Sequence, residues 1–192
     1  MGEQAKRQQP EEKQESFWKW LLEVIILAAV IFTGVQLLFT HVLAKDVVSG
    51  PSMQPTFYDG DRLITSRLSK IKRGDVVVLE APDEPGSLYI KRVIGLPGDT
   101  VTAKGGHVYV NGKRLSEPYL KEYDPGNGLP FQEDFTLQQK LGRKTVPANS
   151  YFVMGDNRPI SKDSRRIGFI KKSAINGVVK LRYWPLSRLK FF

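Results

Sequence analysis

The stretch Tyr89-Ile90-Lys91-Arg92-Val93-Ile94-Gly95-Leu96-Pro97-Gly98-Asp99, YIKRVIGLPGD, sets two cations side by side in a β-branched run that stops at a Gly-Leu-Pro-Gly turn. Its first six residues have the Tyr/Ile/Val content of a strand. Alternation then puts Tyr89, Lys91 and Val93 on one face and sends Arg92 the other way. A lysine in this setting is either a solvent-facing residue on a half-exposed strand or a buried amine with altered chemistry, and buried lysines are rare. The rest of the chain has to decide between the two.

On both sides of this strand the same pattern recurs. Residues 62–65, 75–79, 100–103, 107–110, 151–154 and 178–183 are short Val/Ile/Tyr-rich segments bounded by Gly, Pro, Asn and Asp, and read as further strands. Asn111-Gly112 and Gly105-Gly106 are two-residue hairpin signals. These features predict a mainly β domain over residues 45–192. A variable insert or subdomain is expected around 105–149, with alternation weakest over 117–149.

Before that domain, residues 24–44 (VIILAAVIFTGVQLLFTHVLA) contain no Asp, Glu, Lys or Arg. About 20 such residues span a bilayer. A cleaved signal peptide has a shorter apolar stretch of about 7–15 residues nearer the start, so the run reads as a retained transmembrane anchor over 21–44 rather than a leader or a buried core helix. Trp18 and Trp20 precede it like an interfacial aromatic belt. Residues 1–20 form a polar tail, and 1–16 lack apolar periodicity and are expected to be disordered. The tail's Lys6, Arg7, Lys13 and Lys19 outweigh Lys45 beyond the anchor, which places the amino terminus in the cytoplasm and the β domain across the membrane.

Composition narrows the chemistry. The 192 residues suit one domain plus the anchor, and a net charge of +9, from 29 Lys and Arg against 20 Asp and Glu, suits an anionic membrane surface as well as nucleic acid. No aromatic-interleaved basic stretch supports nucleic acid, however. With no cysteine there is no thiolate nucleophile or Cys-based zinc site, and two histidines are too few for a His-rich metal site. Nucleotide-binding glycine patterns and the His-Glu-x-x-His motif are also missing, so neither metal nor cofactor is expected. His41 lies inside the apolar run and His107 at a hairpin, and neither location suits the base of a Ser-His-Asp triad.

Serine with lysine remains. An amine can activate a serine hydroxyl if it is neutral at working pH. For Lys91 to serve, its pKa has to fall by roughly 3 pH units, a preference of about 4 kcal/mol for the neutral form, which burial can supply. Just beyond the anchor, Val48-Ser49-Gly50-Pro51-Ser52-Met53-Gln54-Pro55-Thr56 (VSGPSMQPT) packs shape-dictating Gly and Pro around two serines. Such a loop can aim one hydroxyl.

Taken together, SGPSMQPT, YIKRVIGLPGD and GDNRPISKDSRRIGF (residues 155–169) resemble, in order, the serine box, lysine box and final Gly-Asp-Asn-Arg box of type I signal peptidases. These are membrane-bound bacterial Ser/Lys proteases, and the short anchor-first layout is similar to their Gram-positive forms. The resemblance implies an antiparallel β-sheet or partly open barrel of the LexA-like Ser/Lys protease kind behind one transmembrane helix. It implies Ser52 as nucleophile and Lys91 as general base. The Ser52 N–H becomes an oxyanion donor placed by Gly50, and Val48, Met53 and Ile90 wall the substrate pocket. Ser161 would hydrogen-bond the lysine, Asp163 and Arg165 would form a supporting ion pair, and Gly155, Asp156, Asn157 and Arg158 would build the turn that brings them together. Two positions depart from the pattern: Gly50 stands where some relatives carry an assisting serine, and Ile160 where Asn is frequent. The implied partners are exported preproteins and the lipid bilayer, the implied place is the cell membrane with a single pass, and a monomer is expected. Two rivals share part of the evidence: a self-cleaving Ser/Lys repressor protease, which would carry a DNA-binding module, and a membrane-tethered β domain that binds envelope partners without chemistry. Separately, Phe57 and Tyr58 are expected to form an apolar edge resting on the membrane.

Overall fold

The computed structural model of the chain describes residues 9–120 and 132–192, with side chains from residue 17. The expected tail over 1–8 and the 121–131 part of the insert lie outside the described residues. The chain divides into two compact units, Met1–Val42 and Leu43–Phe192.

The first unit holds one long helix, α1 (Gln9–His41). Its described part takes in residues 9–16, which were expected to be disordered. Within it, Phe17–His41 is a 25-residue apolar segment with a mean hydropathy of 2.4 and its most apolar window wholly exposed. That is the length and character of a membrane anchor. The helix stops short of the expected end at residue 44, because Leu43 and Ala44 pair with Ser66 and Thr65 instead.

The second unit is built from antiparallel strands. In chain order they are β1 (Leu43–Val47), β2 (Arg62–Ser66), β3 (Val76–Glu80), β4 (Leu88–Gly95), β5 (Val101–Lys104), β6 (His107–Val110), β7 (Lys113–Arg114), β8 (Phe135–Thr136), β9 (Ser150–Met154), β10 (Ile170–Lys171), β11 (Ile175–Trp184) and β12 (Lys190–Phe191). The large sheet runs β1-β2-β11-β3-β4-β9-β10, with β12 also on β11, and a small sheet runs β7-β6-β5-β8. Every strand expected from the sequence is present. The Asn111-Gly112 hairpin has both residues at positive φ, 52° and 76°, as a type I′ turn requires. The small sheet starts at Val101, four residues before the expected insert, because β5 is one of its two inner strands and pairs with both β6 and β8.

Burial follows the alternation. In β3, Val76 and Val78 join Val48, Met53, Phe57, Leu63, Ile90 and Val179 on one face of the large sheet. Val77 and Leu79 join Val93, Tyr151, Val153 and Val178 on the other. Each fully buried side chain of this kind contributes about 1.5–3 kcal/mol. Phe57 belongs to this core rather than to a membrane-facing edge: it is fully buried and stacks on Phe192 with ring centroids 4.8 Å apart. Its N–H is bonded to the Met53 carbonyl in the turn after Ser52, which directs the ring inward. Tyr58 alone of the pair is exposed.

One feature of the pairing positions the site. β4 lies against β3 along Leu88–Arg92, but β9 joins its other side only from Arg92 onward. Among the described residues no strand covers the Leu88–Lys91 edge on that side, and the edge borders a cleft.

Candidate active site

The cleft has a volume of about 500 Å³ and lies between the β1 end of the sheet, the loop Ser49–Ser52, the open half of β4, and Ile160 and Lys162. Val48, Leu63, Val78 and Ile90 supply an apolar floor, and Ser52 and Lys91 both border it. Met53 does not. It is fully buried in the core beneath, so of the three expected pocket-wall residues only Val48 and Ile90 face the cleft.

Ser52 sits in a turn closed by the Gln54 N–H on the Pro51 carbonyl and the Phe57 N–H on the Met53 carbonyl. Gly50, at φ 78°, makes the bend before it and donates its N–H to the Asp59 carboxylate at 2.9 Å. The final motif clamps the same turn from the other side. The Asn157 N–H donates to the Ser52 carbonyl (3.1 Å), and Asn157 Nδ2 donates to the Pro51 carbonyl (3.2 Å). Contacts so close leave no room at Gly155. A Cβ there would fall 2.1 Å from Ser161 Oγ and 2.5 Å from the Ser52 carbonyl oxygen.

Lys91 reaches this serine from the open half of β4. Its Nζ donates to Ser52 Oγ at 3.0 Å and to the Ile90 carbonyl at 2.8 Å, and the residue is 3% exposed. Burial pushes its pKa down from 10.5 to about 8; the Asp163 and Asp156 carboxylates pull the other way and are outweighed. Of the two readings of this lysine, the buried amine is the one observed.

The supporting residues come together around the same turn. Asp163 accepts two hydrogen bonds from the Arg165 guanidinium, at 2.8 and 2.7 Å, and one from the Gly155 N–H at 2.9 Å. Arg165 also donates to the Arg158 carbonyl, and Arg158 pairs with Glu117 and Gln132, tying the small-sheet side to the loop. Ser161 departs from expectation. Its Oγ is buried without a hydrogen-bond partner, so the expected bond to Lys91 is not made; the amine's two contacts are Ser52 and Ile90.

Sequence reasoning assigned nothing to Arg92 or Thr56. Arg92 forms a buried bidentate pair with Asp156 (2.8 and 2.6 Å), caps the Gly74 carbonyl, and stacks 3.8 Å from the Tyr119 ring centroid. Thr56 Oγ1 donates to the same carboxylate at 2.5 Å. The only signal available beforehand was an Asp in the final motif and an Arg beside the lysine, 64 residues apart.

A serine hydroxyl 3.0 Å from a buried amine of lowered pKa, bordering an apolar cleft on an antiparallel β domain, is an arrangement in which the amine can activate the hydroxyl as a nucleophile. Residues 17–184 match the family described as Signal peptidase, peptidase S26, and the chain belongs to that family. It is 40% identical over 186 residues to Signal peptidase I of Bacillus caldolyticus, covering 94% of this chain and 96% of that one. With Signal peptidase IB of Staphylococcus aureus strain MRSA252 it shares 38% identity over 183 residues, covering 90% and 94%. The crystal structure of a signal peptidase I from Enterococcus faecalis V583 is 39% identical, superposes with a TM-score of 0.54, and covers 57% of this chain and 97% of its own.

Proposed function

We propose that this chain is a type I signal peptidase that removes signal peptides from exported preproteins, with Ser52 as nucleophile and Lys91 as general base. The observation that carries the reading is the 3.0 Å contact between Lys91 Nζ and Ser52 Oγ beside an apolar cleft. Neutral Lys91 takes the Ser52 proton as Oγ attacks the scissile carbonyl, and the Ser52 N–H donates to the oxyanion. Protonated Lys91 then gives that proton to the departing amine. Water, deprotonated by the same lysine, attacks the ester and releases the carboxylate product and free Ser52.

The substrate lies extended along the open Leu88–Lys91 edge of β4, held by main-chain pairing with pockets for alternate side chains. Val48, Leu63, Val78 and Ile90 form the apolar floor against which alternate side chains of the peptide rest, and the cut follows a small-x-small sequence as in signal peptides. Asp163, Arg165, Asp156 and Asn157 position the serine turn. The apolar helix confines the enzyme to the membrane that holds its substrates, which raises their effective concentration. The enzyme works as a monomer, with its amino terminus in the cytoplasm and its β domain on the extracytoplasmic side. The test is incubation of the detergent-solubilised chain with a preprotein and mapping of the cut. Cleavage after a small-x-small sequence is expected, lost in Ser52→Ala; cleavage that survives Ser52→Ala would reject the assignment.

A further inference from the structure

Of the two sides of the cleft, one is the small-residue floor and the other has no role in the account so far. An extended peptide sends successive side chains to opposite sides. If the two small residues of small-x-small face the floor, the side chain at x faces the opposite wall. Alternation on β4 separates the two sides in the same way. Ile90 packs with Val48, Leu63 and Val78, whereas Tyr89 packs toward Val77, Leu79 and Val93, with its ring centroid 5.2 Å from Lys91 Nζ.

The cleft lining away from that floor includes one uncovered apolar side chain. Ile160 borders the cleft with 52% of its surface exposed, an apolar side chain left uncovered where a polar one would cost nothing. Lys162, which also lines the cleft, forms an ion pair with Asp83, and the Tyr89 hydroxyl donates to Glu84 at 3.2 Å. The charges of Lys162, Asp83 and Glu84 partner one another or Tyr89, and what the wall offers a ligand is the Ile160 side chain, the Tyr89 ring and the Lys162 stem.

We propose that Ile160, with Tyr89 and the Lys162 stem, is a specificity-determining subsite that favours a large apolar side chain at the x position of small-x-small. The proposal rests on the signal-peptidase reading above and adds a substrate preference to it. Covering Ile160 and the ring removes apolar surface from water only when x is large, so discrimination appears in kcat/KM between substrates rather than in overall rate.

The test uses the full chain in detergent and one preprotein carrying Ser, Leu or Phe at x, cleaved in competition. Leu and Phe forms are expected to react about tenfold faster than the Ser form, with that ratio falling to about twofold in Ile160→Asn and kept in Ile160→Val. A wild-type ratio of one, or a ratio unmoved by Ile160→Asn, would overturn the proposal while leaving the catalytic assignment intact. Failure to cleave any of the three would instead bring down the signal-peptidase reading, and this inference with it.

Discussion

Lys91 and Arg92 are adjacent on one strand, and both are almost fully buried, at 3% and 6% exposure. Their fates are opposite. Arg92 meets a carboxylate head-on: burial alone would favour losing its proton, but the bidentate bonds and charge of Asp156 outweigh that and raise its pKa. Lys91 meets only a hydroxyl and a carbonyl at contact distance, and its nearest carboxylates act without touching it, so burial wins and the pKa falls to about 8. Burial is common to the two. The side chain and its partner together decide whether a buried cation is a permanent structural charge or an amine able to exchange a proton: a guanidinium against a carboxylate stays charged, and an amine against a hydroxyl does not have to.

The comparison can be broken by substitution. The largest effect is expected at Lys91→Met: preprotein cleavage should fall by at least about a thousandfold, measured in single-turnover assays. The same change should stabilise the fold, because holding Lys91 at a pKa of about 8 rather than 10.5 costs the folded state about 3 kcal/mol at pH 7. Arg92→Met, one residue on, should do the reverse, lowering stability by about 3–5 kcal/mol since Asp156 is left buried and unpaired. Thermal melts of the two variants, moving in opposite directions, are the check; parallel shifts would erase the distinction.

Smaller effects sharpen the picture of the turn between them. Gly155→Ala should displace the Ser52 carbonyl and lower cleavage about a hundredfold, with a stability loss of about 1–3 kcal/mol, because its Cβ has nowhere to go. The smallest effect belongs to Ser161→Ala. Its hydroxyl is buried without a partner, so stability should change by less than about 1 kcal/mol and cleavage by less than tenfold. A loss matching that of Lys91→Met would place that hydroxyl in the reaction itself.

Much of this was legible in the sequence where a local pattern had one physical meaning. The strands of the large sheet, the Asn111-Gly112 hairpin and the apolar helix each follow from short-range periodicity or turn chemistry. The Ser52 and Lys91 pairing was legible only because three motifs occurred together. What the sequence hid depended on partners far along the chain. Leu43 and Ala44 look like anchor until β2 is there to pair with them. Phe57 and Met53 look like edge and pocket residues, but the turn after Ser52 points both into the core. Arg92 only points away from the Lys91 face in the sequence pattern, and its carboxylate partner lies 64 residues away. Residues 9–16 looked too polar for order, yet they continue the helix of the apolar segment.

The central claim is that Lys91 acts as a base whose lowered pKa brings its neutral form within reach near physiological pH, and the pH dependence of kcat/KM for one preprotein tests it most directly, since that parameter reports the free enzyme's ionisations. Lys91 must lose its proton to act, so activity should rise with pH and level off above an apparent pKa of about 8. Over the interval from there to 10.5 the unfolded chain binds the extra proton, so stability should rise with pH too. A rate that climbs only above pH 10, as an ordinary lysine would give, would contradict the account.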